Sequence, residues 1–108
     1  MQNQINFNSL AVERRLKLAQ ETRDPEMIAA FLNDEDSYVR SAAAANPAAT
    51  AEVLAKYAKD RSPYVRAAAA DNDNIDNIDL LKLGAESYQI VREAAVANVR
   101  RRMRQGKI

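Results

Sequence analysis

The sequence predicts an all-α fold, a short α-solenoid of about three and a half to four two-helix repeats of 26 residues. The clearest sign is a tag, Tyr38-Val39-Arg40, that returns as Tyr64-Val65-Arg66 and then as Ile90-Val91-Arg92, each time after 26 residues. Other columns keep the same step, among them Asn46, Asn72 and Asn98. Within a unit, the small and apolar residues follow the i, i+3, i+4, i+7 spacing of one helix face, as at Val39, Ala42, Ala43 and Asn46. A constant step of this size indicates that one helix pair is reused and stacked.

The chain of 108 residues is predicted to be a single helical-repeat domain spanning 1–108. Its repeat units are roughly 9–34, 35–60, 61–86 and 87–105, and a basic C-terminal end covers 100–108. Only six residues are aromatic, whereas alanine is abundant, so the core is expected to depend on close approach of helices. The first unit is degenerate, as is expected of a terminal repeat with one face in water.

Capping residues mark the start of most predicted helices. In chain order these starts are Asn8 or Ser9, Asp24 before Pro25, Asp36 or Ser37, Thr50, Ser62 before Pro63, and a position near Ser87; a short helix with Ile78, Leu80, Leu81 and Leu83 follows the turn 71–74. The predicted ends lie near Gln20, Asn33, Ala45, Lys59, Asp71, Gly84 and Gln105. Helices this short are marginal alone in water, so each is expected to depend on its neighbours.

The second unit resembles a known repeat family. Its stretch from Val39-Arg40 through a run of small residues to Asn46-Pro47, followed by Leu54 and Asp60, is similar to the leucine-rich repeat variant and shares the logic of HEAT-like repeats. The resemblance covers about residues 24 to 100. It implies a right-handed superhelix of short paired helices and allows 3₁₀ character in one helix of each pair. Some members of that family carry a cysteine cluster for iron and sulfur, but this chain has no cysteine, so that activity is not carried over.

An arginine column runs through the repeat and has two interpretations. Its members are Arg14, Arg40, Arg66 and Arg92, and acids stand six residues before three of them, at Asp34, Asp60 and Glu86. Each acid can pair with the arginine that follows it or with the equivalent arginine of the adjacent unit, which makes a structural ladder. Alternatively, the arginines can meet successive phosphates of a partner. The structural ladder is favoured, because an arginine in the first turn of a helix opposes the helix dipole and calls for an acidic partner.

The C-terminal half carries the positive charge. Residues 1–54 hold five Lys and Arg against eight Asp and Glu, and residues 55–108 hold eleven against seven. The excess lies in the last nine residues, as Arg100, Arg101, Arg102, Arg104 and Lys107. This run either contacts phosphate or an acidic protein surface, or serves only as a solubilising end that suits a helix C-terminus.

The residue inventory argues against catalysis. Histidine and cysteine are absent, and no pair of carboxylates has a spacing that sets it apart from turn and cap residues. We therefore predict a non-enzymatic protein without cofactor or metal. Because no apolar run is long enough for a bilayer and no signal peptide is visible, a cytoplasmic location without membrane contact is expected.

The predicted function is protein binding through the solenoid surface, as an adaptor, scaffold or inhibitor. The candidate contacts are Tyr38, Tyr64, Lys56, Lys59 and Lys82, although the two tyrosines could equally flank the core. The alternative is a nucleic-acid accessory protein that uses the basic C-terminal end. A monomer or a weak end-to-end homo-oligomer is expected, since terminal units can stack.

Overall fold

The structure, a computed structural model, describes residues 10–108. Over that range the chain forms seven α-helices and no strand, which confirms the all-α class. The helices are α1 (Val12–Glu21), α2 (Pro25–Ala30), α3 (Ser37–Ala45), α4 (Ala51–Tyr57), α5 (Pro63–Asp71), α6 (Asn77–Leu83) and α7 (Gln89–Arg104). A 3₁₀ turn, Phe31–Asn33, extends α2, and it is the one 3₁₀ segment in the described range. The predicted caps Asn8 and Ser9 lie outside the described residues.

Side chains cap four of the helices: Asp24, Asp36 and Thr50 stand at predicted starts, and Asp76, which caps α6, was not among the predicted caps. Asp24 accepts a hydrogen bond from the Glu26 amide, Thr50 from the Val53 amide and Asp76 from the Ile78 amide. Between the two alternatives for α3, Asp36 is the cap, because its carboxylate accepts from the amides of Tyr38 and Val39. Ser62 holds the cap position of α5 without a side-chain hydrogen bond. The repeated cap residues thus set the lengths of helices too short to be stable alone.

The odd-numbered helices form the most extensive helix–helix contacts of the molecule. α1 packs against α3, α3 against α5 and α5 against α7, while α2, α4 and α6 each contact the odd-numbered helix that follows. Alanines on the facing sides are fully buried and let the helices approach closely: Ala43, Ala44, Ala69, Ala70 and Ala95. Large side chains of the even-numbered helices, also fully buried, supply the bulk of the core: Ile28, Leu54, Tyr57 and Leu80. Burying each aliphatic side chain contributes about 1.5–3 kcal/mol. The result is an elongated body of 45 × 25 × 20 Å.

Within residues 10–108, no helix has the length and apolar character needed to cross a bilayer.

Tyr57 is a core residue with an ionisable side chain. Its ring is fully buried, and its hydroxyl donates a hydrogen bond of 2.6 Å to the Ile28 carbonyl. Burial raises the pKa of Tyr57 well above its ordinary value, and the nearby Asp60 carboxylate adds to the effect. The folded protein therefore holds this proton more tightly than the unfolded chain does. The resulting stability is present below about pH 10, where an unfolded tyrosine ionises, and is lost as the pH rises beyond that.

Replacing Tyr57 with phenylalanine is expected to cost about 1 kcal/mol at pH 7, since it removes the hydrogen bond to Ile28. At about pH 11 the difference in the free energy of unfolding should shrink or reverse sign. At that pH the phenol of an unfolded Tyr57 ionises, which stabilises the unfolded parent protein, and the phenylalanine variant has no such group. Urea denaturation of both proteins at the two pH values measures this, and all other tyrosines and lysines are common to both. An equal difference at both pH values would contradict the assignment.

Candidate interaction surfaces

Paired arginines and acids run along one edge of the molecule, where each even-numbered helix ends and the next odd-numbered helix begins. Arg40 makes two hydrogen bonds to Asp60, from Nε at 2.9 Å and from Nη2 at 3.2 Å. Arg66 binds Glu86 in the same way, so the acid lies 20 residues after its arginine. Each arginine also donates from Nη1, at 2.8 Å, to the backbone carbonyl of the acid six residues earlier: Arg40 to Asp34 and Arg66 to Asp60. One guanidinium therefore contacts both acids that the sequence offered, one through its carboxylate and the other through its carbonyl.

The first unit departs from the predicted register. Arg14 is exposed, and the residue that pairs with Asp34, at 2.9 Å and 3.2 Å, is Arg15. This corrects the assignment of Arg14 to the column. Its physical reason is that α1 starts at Val12, which is 25 residues before the start of α3, so the first helix is one residue out of step. The hydrogen bond with Asp34 raises the pKa of Arg15, and the one with Glu86 raises the pKa of Arg66, so both stay charged.

The last member of the column differs in another way. Arg92 is exposed and donates to the carbonyls of Glu86, at 3.0 Å, and Ser87, at 3.1 Å. Within residues 10–108 it forms no ion pair. The Arg92 guanidinium is therefore bound by two backbone carbonyls and, among the described residues, by no carboxylate.

Buried asparagines join the units along the opposite edge. The Asn72 amide donates to the carbonyls of Ala44, at 2.9 Å, and Asn46, at 3.0 Å, and Asn98 donates in the same way to Ala70 and Asn72. These alanine carbonyls lie in the last turns of α3 and α5, where a helix leaves carbonyls unpaired. Asn46 and Asn72 end α3 and α5 with extended backbone, at φ of −68° and −75°, and not in the left-handed conformation that asparagine tolerates at helix ends. No residue other than glycine in the described range has a positive φ.

An exposed row of large side chains lies at the start of the odd-numbered helices. Tyr38, Tyr64 and Ile90 occupy the second position of α3, α5 and α7, and their exposed fractions are 75%, 67% and 42%. We call these three residues the tyrosine row. Since both tyrosines are so exposed, neither flanks the core. The adjacent Tyr88 ring lies 5.2 Å from the Arg66 guanidinium, a cation–π contact at the same edge.

The three candidate lysines lie toward the same edge. Lys56 and Lys82 are exposed in the last turns of α4 and α6, and Lys59 is exposed in the loop that leads into α5. Because each even-numbered helix ends where the next odd-numbered helix begins, this places positive charge beside the tyrosine row.

The basic C-terminal end is only partly free. Arg102 is buried, and its guanidinium donates to the Asn98 side chain, the Asn77 side chain and the carbonyls of Asp73 and Ile75. Including it among contacts for phosphate is therefore wrong. The sequence held a signal for this, because Arg102 follows the buried Asn98 by one helical turn.

Arg101 is also engaged within the chain. It lies 3.4 Å from an Asp71 carboxylate oxygen and 3.5 Å from one of Asp73. Of the five cations of the basic C-terminal end, Arg100, Arg104 and Lys107 remain exposed and form no ion pair with the described residues.

Comparisons of this chain with family models, with characterised proteins and with solved structures gave no match.

Proposed function

We propose that the chain is a short α-solenoid of the repeat type that its sequence resembles, and that it acts as a non-enzymatic protein-interaction module. The observation that carries this proposal is the tyrosine row, in which equivalent positions of three consecutive odd-numbered helices all present large exposed side chains. Two further contacts recur at the repeat step and support the arrangement. They are the arginine–acid pairs on one edge and the asparagine–carbonyl bonds on the other.

The tyrosine row suits recognition of a protein surface. Tyrosine supplies a large amphipathic contact with few rotatable bonds, which is why it is enriched among residues that dominate binding energy. The backbone beneath Tyr38 is fixed by the Asp36 cap and, two residues on, by the buried pair of Arg40 and Asp60. Helix axes about 8–10 Å apart give a row about 16–20 Å long, which fits a footprint of roughly 600–1,000 Å² on this chain. The neighbouring lysines favour a partner that presents apolar pockets flanked by acids.

Replacing both Tyr38 and Tyr64 with alanine is expected to weaken partner binding by about 30-fold or more, because two exposed anchors are lost. The stability should change by no more than about 0.5 kcal/mol, since neither side chain packs in the core. Affinity capture from lysate with quantitative mass spectrometry identifies the partner, and calorimetry with that partner gives the affinity. Ile78→Ala is the control, because Ile78 is equally exposed, at 64%, but lies outside the row. Capture of the same partner in equal amounts by the double variant would refute the proposal.

A second candidate function, nucleic-acid binding, is supported by the exposed and unpaired Arg100, Arg104 and Lys107. Three cations give a weaker electrostatic contact than the five that the sequence offered. Capture that returns only nucleic acid, with a mobility shift that is lost in high salt and in Arg100→Ala/Arg104→Ala, would favour this function over protein binding. No shift at low salt would eliminate it.

A further inference from the structure

An apolar groove lies between α6 and the second half of α7. It has a volume of about 430 Å³ and is lined by Leu81, Gly84, Val96, Val99, Arg100 and Met103. Leu81 and Met103 are 54% and 61% exposed, large fractions for apolar side chains of this size. The last helix pair differs here from the earlier ones, because residues equivalent to Leu81 in α2 and α4 are the small Ala29 and Ala55. From this groove we infer a docking site for an amphipathic helix that carries acidic residues along its polar side. This site is separate from the tyrosine row.

The groove continues a helix-packing interface that the molecule already uses. Val96 is the equivalent of Ala44 and Ala70, which are fully buried in α3 and α5. Those two helices have a further odd-numbered helix packed beside them, α5 and α7 respectively. Val96 is only partly buried, and Arg92, the equivalent of the buried Arg40, is exposed. The positions of Val96 and Arg92 are thus covered by a neighbouring helix in α3 and α5 but uncovered in α7. The natural occupant of this face is therefore a helix.

The charge of the face determines the chemistry of the occupant. Arg92 and Arg100 lie one turn before and after Val96, on the same side of α7, and neither forms an ion pair among residues 10–108. Glu93, the one acid of α7, is exposed beside them and accepts a hydrogen bond from Gln89, so the net charge of this side is positive. In the interior units, Arg40 and Arg66, the equivalents of Arg92, each bind a carboxylate from the segment that leads into the covering helix. A helix docked on α7 should therefore bring Asp or Glu to Arg92 and Arg100, with apolar residues facing Val96 and Met103.

A second copy of this chain is a poorer occupant. A two-fold contact through the groove would place Arg100 and Arg92 near the same residues of the other copy, where like charges repel. At the opposite end of the molecule, the exposed charges of α1 are mixed, with Glu13 and Glu21 beside Arg14 and Lys17, so α1 does not offer the uniformly acidic face that suits Arg92 and Arg100. An acidic partner helix brings a carboxylate to each of these arginines without like-charge repulsion.

The test uses two synthetic peptides of about 16 residues with the same leucine stripe at helical spacing and, on the polar side, only glutamate or only lysine. Fluorescence anisotropy with the full chain should give the glutamate peptide an affinity at least about tenfold higher than the lysine peptide, with the difference shrinking in high salt. Met103→Glu, which puts a carboxylate in the apolar groove, and Arg100→Glu, which reverses the charge beside it, should each weaken binding of the glutamate peptide about tenfold.

Ile78→Glu is the matched control, because it puts the same charge on exposed α6 where the equivalents in α2 and α4 are already Glu26 and Glu52. It should leave binding of the glutamate peptide unchanged, and thermal unfolding should show that all three variants are folded. Equal binding of the two peptides, no binding of the glutamate peptide, or an equal loss in Ile78→Glu would overturn the inference. So would light scattering that shows the chain alone to dimerise in a manner abolished by Met103→Glu. Failure here would leave the tyrosine row, and the function proposed for it, untouched.

Discussion

Replacing Asp60 with alanine is expected to lower the free energy of unfolding by about 3–5 kcal/mol, because it leaves the guanidinium of Arg40 buried without its counter-charge. The Arg40 side chain is 2% exposed and Asp60 8%, and they are joined by two hydrogen bonds. Asp60 also accepts from the Ser62 amide at 2.9 Å, so the loop into α5 loses an anchor as well. Since small domains are stable by only about 5–15 kcal/mol, this one change should bring the chain close to unfolding at room temperature.

Urea denaturation followed by circular dichroism measures the loss. Glu86→Ala is the matched comparison, because it breaks the equivalent pair with Arg66. In this pair the Arg66 side chain is 14% exposed and the Glu86 side chain 19%, so water reaches both charges. It should cost about 1 kcal/mol. A double variant, Arg40→Met with Asp60→Leu, should recover at least half of the loss, since apolar replacement of a whole buried pair is often neutral. Equal costs for Asp60→Ala and Glu86→Ala, or no recovery in the double variant, would show that burial of the pair is not the source of the effect.

Local signals in the sequence were sufficient to predict most of the secondary structure. Asp24, Thr50 and the proline after Ser62 stand at helix starts because cap residues and proline act through their immediate neighbours. The 26-residue step also placed Arg40 and Arg66 at equivalent positions with equivalent partners. Such features depend on spacing along the chain, which a sequence displays directly.

Features that depend on a shift or on a distant contact were missed. The pairing of Arg15 with Asp34 follows from a one-residue offset of α1, and nothing in the residues around Arg14 reveals that offset. Arg102 looked like part of a solvated charge run, yet it bonds to carbonyls 27 and 29 residues earlier. Its acceptors become visible only when α7 is laid beside the end of α5 and the start of α6. The groove beside Val96 was not foreseen either, because the larger residues that the last unit carries at Leu81 and Val96 read equally well as part of a covered core.

The second large effect is expected at Asn72, which connects two units through the backbone. Its side-chain Nδ2 donates to the carbonyls of Ala44 and Asn46, and its side-chain Oδ1 accepts from the backbone N–H of Asn74 at 2.9 Å. Because α5 covers the last turn of α3, water cannot easily replace these bonds. Asn72→Ala should therefore cost about 3 kcal/mol, which is the penalty for leaving buried carbonyls unsatisfied. Chemical denaturation gives the cost, and hydrogen exchange should show faster opening at the end of α3.

Asn74→Ala is a stringent control, because Asn74 has the same side chain and its Nδ2 also donates two hydrogen bonds to backbone carbonyls. Its amide donates to the carbonyls of Pro47, at 2.8 Å, and Ala49, at 2.9 Å, but the residue is exposed. Water can take over both bonds, so the cost should stay below about 1 kcal/mol. If burial rather than bond number sets the energy, the two variants will differ by at least about 2 kcal/mol. Equal costs would instead mean that the asparagines act through local turn geometry, and that the units are held together by the packing of their alanines.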